Sequence, residues 1–223
     1  MRLNSLPRLV GTLAFLAVPV ASQAQFTVFT TLASFLAATT APGTDTFTGF
    51  DITNQTPGPL TRTAGAYSYR ARTTPTNIFF GAGTAANPWL STNTATDAMV
   101  FDTFTSGVRG IGGNFFGSNV VGAFQSGNMT ISATNAGGTT TQIITLATTA
   151  SFLGFVSTGG AITSFSVASV QPAGGTAFLW PTVDNFVLAQ AGSASVIPEP
   201  STYALMATGL IGLGAAARRR KNV

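Results

Sequence analysis

The chain reads as all-β, an antiparallel, jelly-roll-like β-sandwich with one short N-terminal helix, flanked by a signal peptide and a C-terminal transmembrane helix. Three observations predict this class. Apolar side chains recur with period two in short runs through the body of the chain. Gly, Pro and Asn clusters separate the runs. Each terminus carries an apolar stretch beside basic residues.

In chain order, Arg2 and Arg8 precede an apolar core over 9–20, then Ala21-Ser22-Gln23-Ala24. Small residues at −3 and −1 of a cut after Ala24 predict a signal peptide over 1–24. Residues 30–38 predict a helix with a Thr cap and Leu32, Phe35 and Leu36 on one face, ended by Ala41-Pro42-Gly43. Period two then takes over. Strands are expected at 44–50, 66–72, 77–80, 98–104 and 108–116, the last broken by Gly110, Gly112 and Gly113. A hairpin is expected from 128–134 and 139–146 across the turn at 135–138. Strands at 151–157, 161–170 and 182–188 close the domain, and 54–59 and 81–93 are expected to be loops. The domain spans 25–190, with a linker over 191–197 and a terminal segment over 198–223.

Composition narrows the chemistry. The chain has 10 Lys+Arg against 6 Asp+Glu. Six of the basic residues lie in the two terminal segments, so the body opposes Arg62, Arg70, Arg72 and Arg109 with Asp45, Asp51, Asp97, Asp102 and Asp184. A body without a basic footprint is not built for nucleic acid. There is no Cys and no His, and the body has neither Lys nor Glu. Disulfides, thiolate and imidazole chemistry, and Schiff-base lysines are thereby excluded. Asp97 and Asp102 stand at odd spacing, which sends them to opposite faces of a strand and disfavours a glycosidase pair.

Trp89, Tyr67 and Tyr69 are the candidate ligand residues, since amphipathic rings stack on sugar faces. Trp89 falls in the expected loop at 81–93, and the two Tyr share a strand face opposite Arg70 and Arg72. Arg70 and Arg72 are candidate contacts for an anionic polysaccharide, or else solvent-facing charges. Trp180, beside Pro181, is expected to pack. Asp184 and Asn185 form the one candidate metal site, for Ca²⁺, with Asp45 and Asp51 as further ligands if the first and last strands pair. No other cofactor is expected. Thr139-Thr140-Thr141 is a cluster and not the repeat that ice binding needs.

At the C-terminus, Pro198, Glu199 and Pro200 precede the uncharged run 201–217, followed by Arg218, Arg219, Arg220 and Lys221. At about 1.5 Å per residue the run makes about 25 Å of helix, a marginal span of a roughly 30 Å hydrocarbon core. The basic stop predicts a cytoplasmic Val223. This order resembles the PEP-CTERM family of bacterial sorting signals. The resemblance implies a Gram-negative, polysaccharide-producing bacterium. Its partner would be exosortase, a membrane-embedded Cys transpeptidase-like protease. It implies an inner-membrane intermediate, then delivery to the cell surface or extracellular matrix. The runs FLGFVSTGGAITSFSV and PTVDNFVL resemble the closing strands of lectin-like sandwich domains found beside such tails. The function expected is a non-catalytic module that binds exopolysaccharide. The alternative is a structural, self-associating matrix protein without a defined ligand; an enzyme acting on polysaccharide is disfavoured.

Overall fold

The computed structural model describes residues 25–105, 107–174 and 177–192. The expected signal peptide, the expected membrane helix at 201–217 and the segment 198–223 lie outside them. Among the described residues no helix is long and apolar enough to cross a membrane.

The chain opens with β1 (Phe26–Phe29), α1 (Leu32–Ala37) and β2 (Thr39–Asp45). β3 (Gln55–Pro57), β4 (Leu60–Ala64), β5 (Tyr67–Thr74), β6 (Ile78–Phe80), β7 (Ala82–Thr84), β8 (Asn87–Ser91) and β9 (Ala98–Asp102) follow. Then come β10 (Gly110–Ser118), β11 (Phe124–Gln125), β12 (Gly127–Asn135) and β13 (Gly138–Ala147). β14 (Phe152–Ser157), β15 (Ile162–Ser169) and β16 (Trp180–Ala191) complete it. An eight-stranded sheet has the order β1-β14-β10-β16-β8-β7, with β11 on β10 and β2 on β16. A six-stranded sheet has the order β13-β12-β15-β9-β5-β4, and β3 pairs with β6. Every ladder is antiparallel.

Phenylalanine joins the two large sheets. Phe101 of β9 stacks on Phe186 of β16 at 4.4 Å, and Phe165 of β15 meets Phe115 of β10 at 5.4 Å. Phe155, Ile131, Met99 and Val183 fill the space around them. Alternate residues turn inward between the layers, and the eight-stranded sheet also buries part of its other face, where Phe35 of α1 packs with Phe152, Val156, Val187 and Ala189.

Several elements depart from expectation, each for a local reason. Thr31 caps α1, its side chain accepting the Ser34 amide at 3.2 Å, yet only Phe35 is buried and Leu32 and Leu36 face outward. The helix is too short to bury a stripe. Ala41-Pro42-Gly43 does not stop the chain but runs inside β2, with Ala41 at φ 50°. The expected strand at 44–50 ends at Asp45, because Phe47 (φ 55°) turns its ring into the core. The expected loop at 54–59 holds β3, and the one at 81–93 holds β7 and β8. The glycine-rich β10 does form and lies between β14 and β16, with its register slipping between Gly112 and Asn114 opposite Asn185. The hairpin of β12 and β13 turns where expected. A bulge at its far end turns Leu146 (φ 48°) to solvent.

Candidate functional site

At the start of β16 the sequence Phe178-Leu179-Trp180 alternates faces, as extended backbone requires. Leu179 is buried, whereas Phe178 is 49% exposed and Trp180 is half-buried. Gln171 fixes this alternation. Its amide nitrogen donates to the Leu179 carbonyl at 2.7 Å, and its amide oxygen accepts the Leu179 N–H at 3.1 Å. The Ser169 hydroxyl donates to the same carbonyl at 2.7 Å. The Leu179 side chain enters where Gly117 and Gly127 lack a Cβ; a methyl group on either would collide with it. The two rings therefore stand outward as a T-shaped pair, centroids 6.4 Å apart. The Trp180 indole N–H donates to the Asn93 carbonyl at 3.2 Å, which sets the ring's tilt.

A cleft lies on each side of Trp180. One, of about 160 Å³, is lined by Ser91, Thr92, Asn93, Ser118, Asn119 and Val120 among others. The second, of about 270 Å³, is lined by Asn93, Thr94, Ala95, Thr96 and Phe178 with Trp180. Both fall below the roughly 300–1,000 Å³ of enclosed small-molecule sites. They suit single ring-sized units of an extended ligand laid across the indole. Neither lining contains an ionisable side chain. The polar atoms on offer are amides, hydroxyls and backbone groups, which match an uncharged, hydroxyl-rich ligand. At the first cleft's rim the Asn119 side chain accepts the Val121 and Ala123 amides at 3.1 and 3.0 Å. That turn presents Val120 and Val121 to solvent, near exposed Phe124. Exposed apolar residues gathered around a groove mark an interaction surface. Behind the first cleft Ser91, Ser118 and Thr182 bond one another, and Ser91 also donates to the Pro181 carbonyl at 3.0 Å.

The expected ligand residues lie elsewhere. Tyr67 and Tyr69 do share one face of β5, but it is the core face. Tyr67 donates to the Ala41 carbonyl at 2.7 Å, and Tyr69 to Asp45 at 2.6 Å. Burial, followed by the charge of Asp45, pushes the Tyr69 hydroxyl far above its usual range. Neither ring can act as a stacking platform. Trp89 sits in β8 and not in a loop, packed edge-on to Phe116 at 4.9 Å and over Gly83. Its indole N–H is buried with no partner among the described residues. The ring expected to pack, Trp180, is the one that lines both clefts.

The calcium reading of Asp184 and Asn185 does not fit the residues present. Asp184 is buried in β16 and accepts the Asn185 amide at 2.7 Å. Burial raises its pKa above the ordinary value, against the hydrogen bonds from the Asn185 amide and the Asn87 side chain. The strand that carries Asp45, β2, does pair with the last strand, β16, with Asp45 opposite Phe186. Asp45, however, is saturated by Arg62 at 2.7 and 2.8 Å, by Tyr69 and by the Phe47 amide. Asp51 caps its own loop through Thr53 and Asn54, whose hydrogen bonds lower its pKa to about 2. Six to eight oxygen ligands do not converge, and among the described residues no three acidic, His or Cys side chains gather. Arg70 and Arg72 both bond Asp102, at 2.6 and 3.2 Å, so they form an ion-pair cluster on the outer face of the six-stranded sheet, and neither lines a Trp180 cleft. Asp97 is buried apart from Asp102, its Oδ2 taking the Thr76 hydroxyl at 2.5 Å.

No curated protein and no solved structure matches this chain. Pro198, Glu199, Pro200 and the basic residues Arg218 to Lys221 fall within one family match, outside the described residues. Residues 196–221 match the family model described as the PEP-CTERM protein-sorting motif, so the chain carries the sorting signal of an exported protein processed by exosortase.

Proposed function

We propose that this protein is a non-catalytic glycan-binding module of the cell surface or exopolysaccharide matrix. It passes through an inner-membrane intermediate held by 201–217, and exosortase removes the tail. Its body is a lectin-like, jelly-roll-like sandwich that binds neutral polysaccharide across Trp180. The single observation that supports the binding role is the outward Phe178–Trp180 pair flanked by two uncharged clefts. An aromatic platform with a polar rim suits the apolar face and equatorial hydroxyls of a sugar.

Calorimetry of the secreted protein against the producing strain's own exopolysaccharide tests this. Trp180→Ala should weaken binding by at least about tenfold, which is about 1.4 kcal/mol. Tyr69→Phe should leave the affinity unchanged. Equal affinity in wild type and Trp180→Ala would sink the reading. The sorting route has its own test. Replacing Pro198, Glu199 and Pro200 with Ala should leave uncut protein in the inner-membrane fraction, and normal release of that variant would refute it.

A further inference from the structure

We propose that the outer edge of β13 is a homotypic interface, on which a second copy of this chain adds its own β13 in antiparallel register. Six strands of the two large sheets pair on one side only, and all but β13 are blunted, β11 by its length of 2 residues and β2 by Pro42 and the register shift there. β1 has 4 residues and β7 has 3, and the Gly83 amide of β7 is already taken by the Gly122 carbonyl at 2.9 Å. β4 has 5 residues, follows Pro57 and Pro59, and carries Arg62. Its end is also covered by β2, where Gly43 lies against the Ala64 backbone. Short length, proline, charge and covering chain are the devices that keep sheet edges from pairing.

β13 has none of them, and its one bulge is confined to the far end at Leu146, leaving residues 139–143 regular. It runs for 10 residues at the end of the six-stranded sheet, and nothing among the described residues pairs with its outer side. Six of those residues are β-branched: Thr139, Thr140, Thr141, Ile143, Ile144 and Thr145. Its exposed apolar side chains are Ile143 at 62% and Leu146 at 70%. No Asp, Glu, Lys, Arg or Pro occurs from Gly110 to Val170, so neither the edge nor its neighbours repel an incoming strand. Such a strand is a template for backbone pairing.

The occupant follows from the same chemistry. A neutral edge lined with hydroxyls and aliphatics has no charge with which to select a charged peptide. Under a two-fold axis it is complementary to itself, residue i meeting j and j meeting i. Antiparallel pairing of two copies would join the six-stranded sheets into one continuous sheet, with Ile143 covered at the seam. This interface does not depend on glycan, and no β13 residue lines either Trp180 cleft.

Sedimentation velocity of the secreted chain from about 1 to about 200 µM tests the proposal. Wild type should dimerise with concentration in the absence of polysaccharide. Thr141→Lys and Ile143→Lys should each raise the dimer dissociation constant at least about tenfold with circular dichroism unchanged. Thr61→Lys, on the protected β4 edge, should not. The chain has no native Cys, so Thr141→Cys should be bridged to a second copy by a bismaleimide and Thr61→Cys should not. A monomer across the whole range would overturn the interface. So would a dimer equally resistant to both β13 lysines, or equal bridging at Thr61 and Thr141.

Discussion

On the outer face of the six-stranded sheet, Thr139, Thr134 and Ser164 stand in the same cross-strand row as Asp102, Arg70 and Thr61. One half of that row is held by hydroxyls, Thr134 bonding Thr139 at 2.8 Å. The other half is held by ions, Arg70 and Arg72 gripping Asp102. At the sheet's charged end, the guanidinium of Arg62 also reaches Asp45 with two bonds. The backbone geometry is common to both halves, so the side chains alone decide how each responds to solvent. The ionic half pins strands against slippage and answers to pH and salt. The hydroxyl half answers to neither, and its neutrality is what leaves β13 open.

The largest effect that breaks this contrast is Arg62→Ala. Asp45 is nearly buried, and without its guanidinium it keeps Tyr69 and an amide but no opposite charge. Loss of one partner from such a pair costs about 3 kcal/mol, or about 10 °C in Tm for a domain this size. Thermal unfolding by circular dichroism reads it directly. Asp102→Asn comes next, lowering Tm by about 3 °C because both of its arginines are largely solvated. Salt at about 1 M should shrink that difference.

The same aspartate gives the contrast a pH signature. Hydrogen bonding from Arg70, and then from Arg72, holds Asp102 below the usual carboxylate range. Its folded-state pKa is thus lower than the unfolded value of about 3.9. The stabilisation is fully present above the unfolded value and is lost as pH falls through the folded one. Wild-type and Asp102→Asn unfolding curves should therefore begin to converge as pH falls below about 4 and meet only below the lowered folded-state pKa. Divergence there would mean that the pair contributes by packing and not by charge. The smallest effect belongs to the hydroxyl half. Thr134→Val should change stability by at most about 0.5 kcal/mol, equally in low and high salt.

Much of this architecture was legible in the sequence where alternation was strict. The hairpin of β12 and β13, the strands β5, β9, β14 and β15, and the Thr31 cap stand where period two and cap chemistry place them. The regions that misled did so because tertiary pairing overrides local signals. Ala41-Pro42-Gly43 carries every mark of a stop, yet the strand only bulges at Ala41 and Pro42 and resumes its pairing with β16 at Gly43. Pro88 and Gly83 disguise β8 and β7 in the same way.

For the candidate site, period two put Tyr67 and Tyr69 on one side, correctly, but not on which side of the sheet. That depended on Asp45, more than twenty residues earlier, awaiting the Tyr69 hydroxyl. Conversely, the outward turn of Trp180 rests on Gln171 and on two glycines far from it in sequence. The signal that was available is the triplet itself: a single aliphatic residue between two large rings, at the start of a strand, can bury only one of the two sets.

Those glycines have a consequence for anyone mapping the site by random mutagenesis. Gly117 and Gly127 form the two sides of a keyhole, and Leu179 is the key. Alanine at either would back the leucine out and swing the neighbouring rings from their places, without altering any atom of the proposed glycan platform. A selection for lost binding would return these two positions alongside Trp180. A map drawn from its hits alone would place two ligand contacts beneath the surface, where the protein has only a lock.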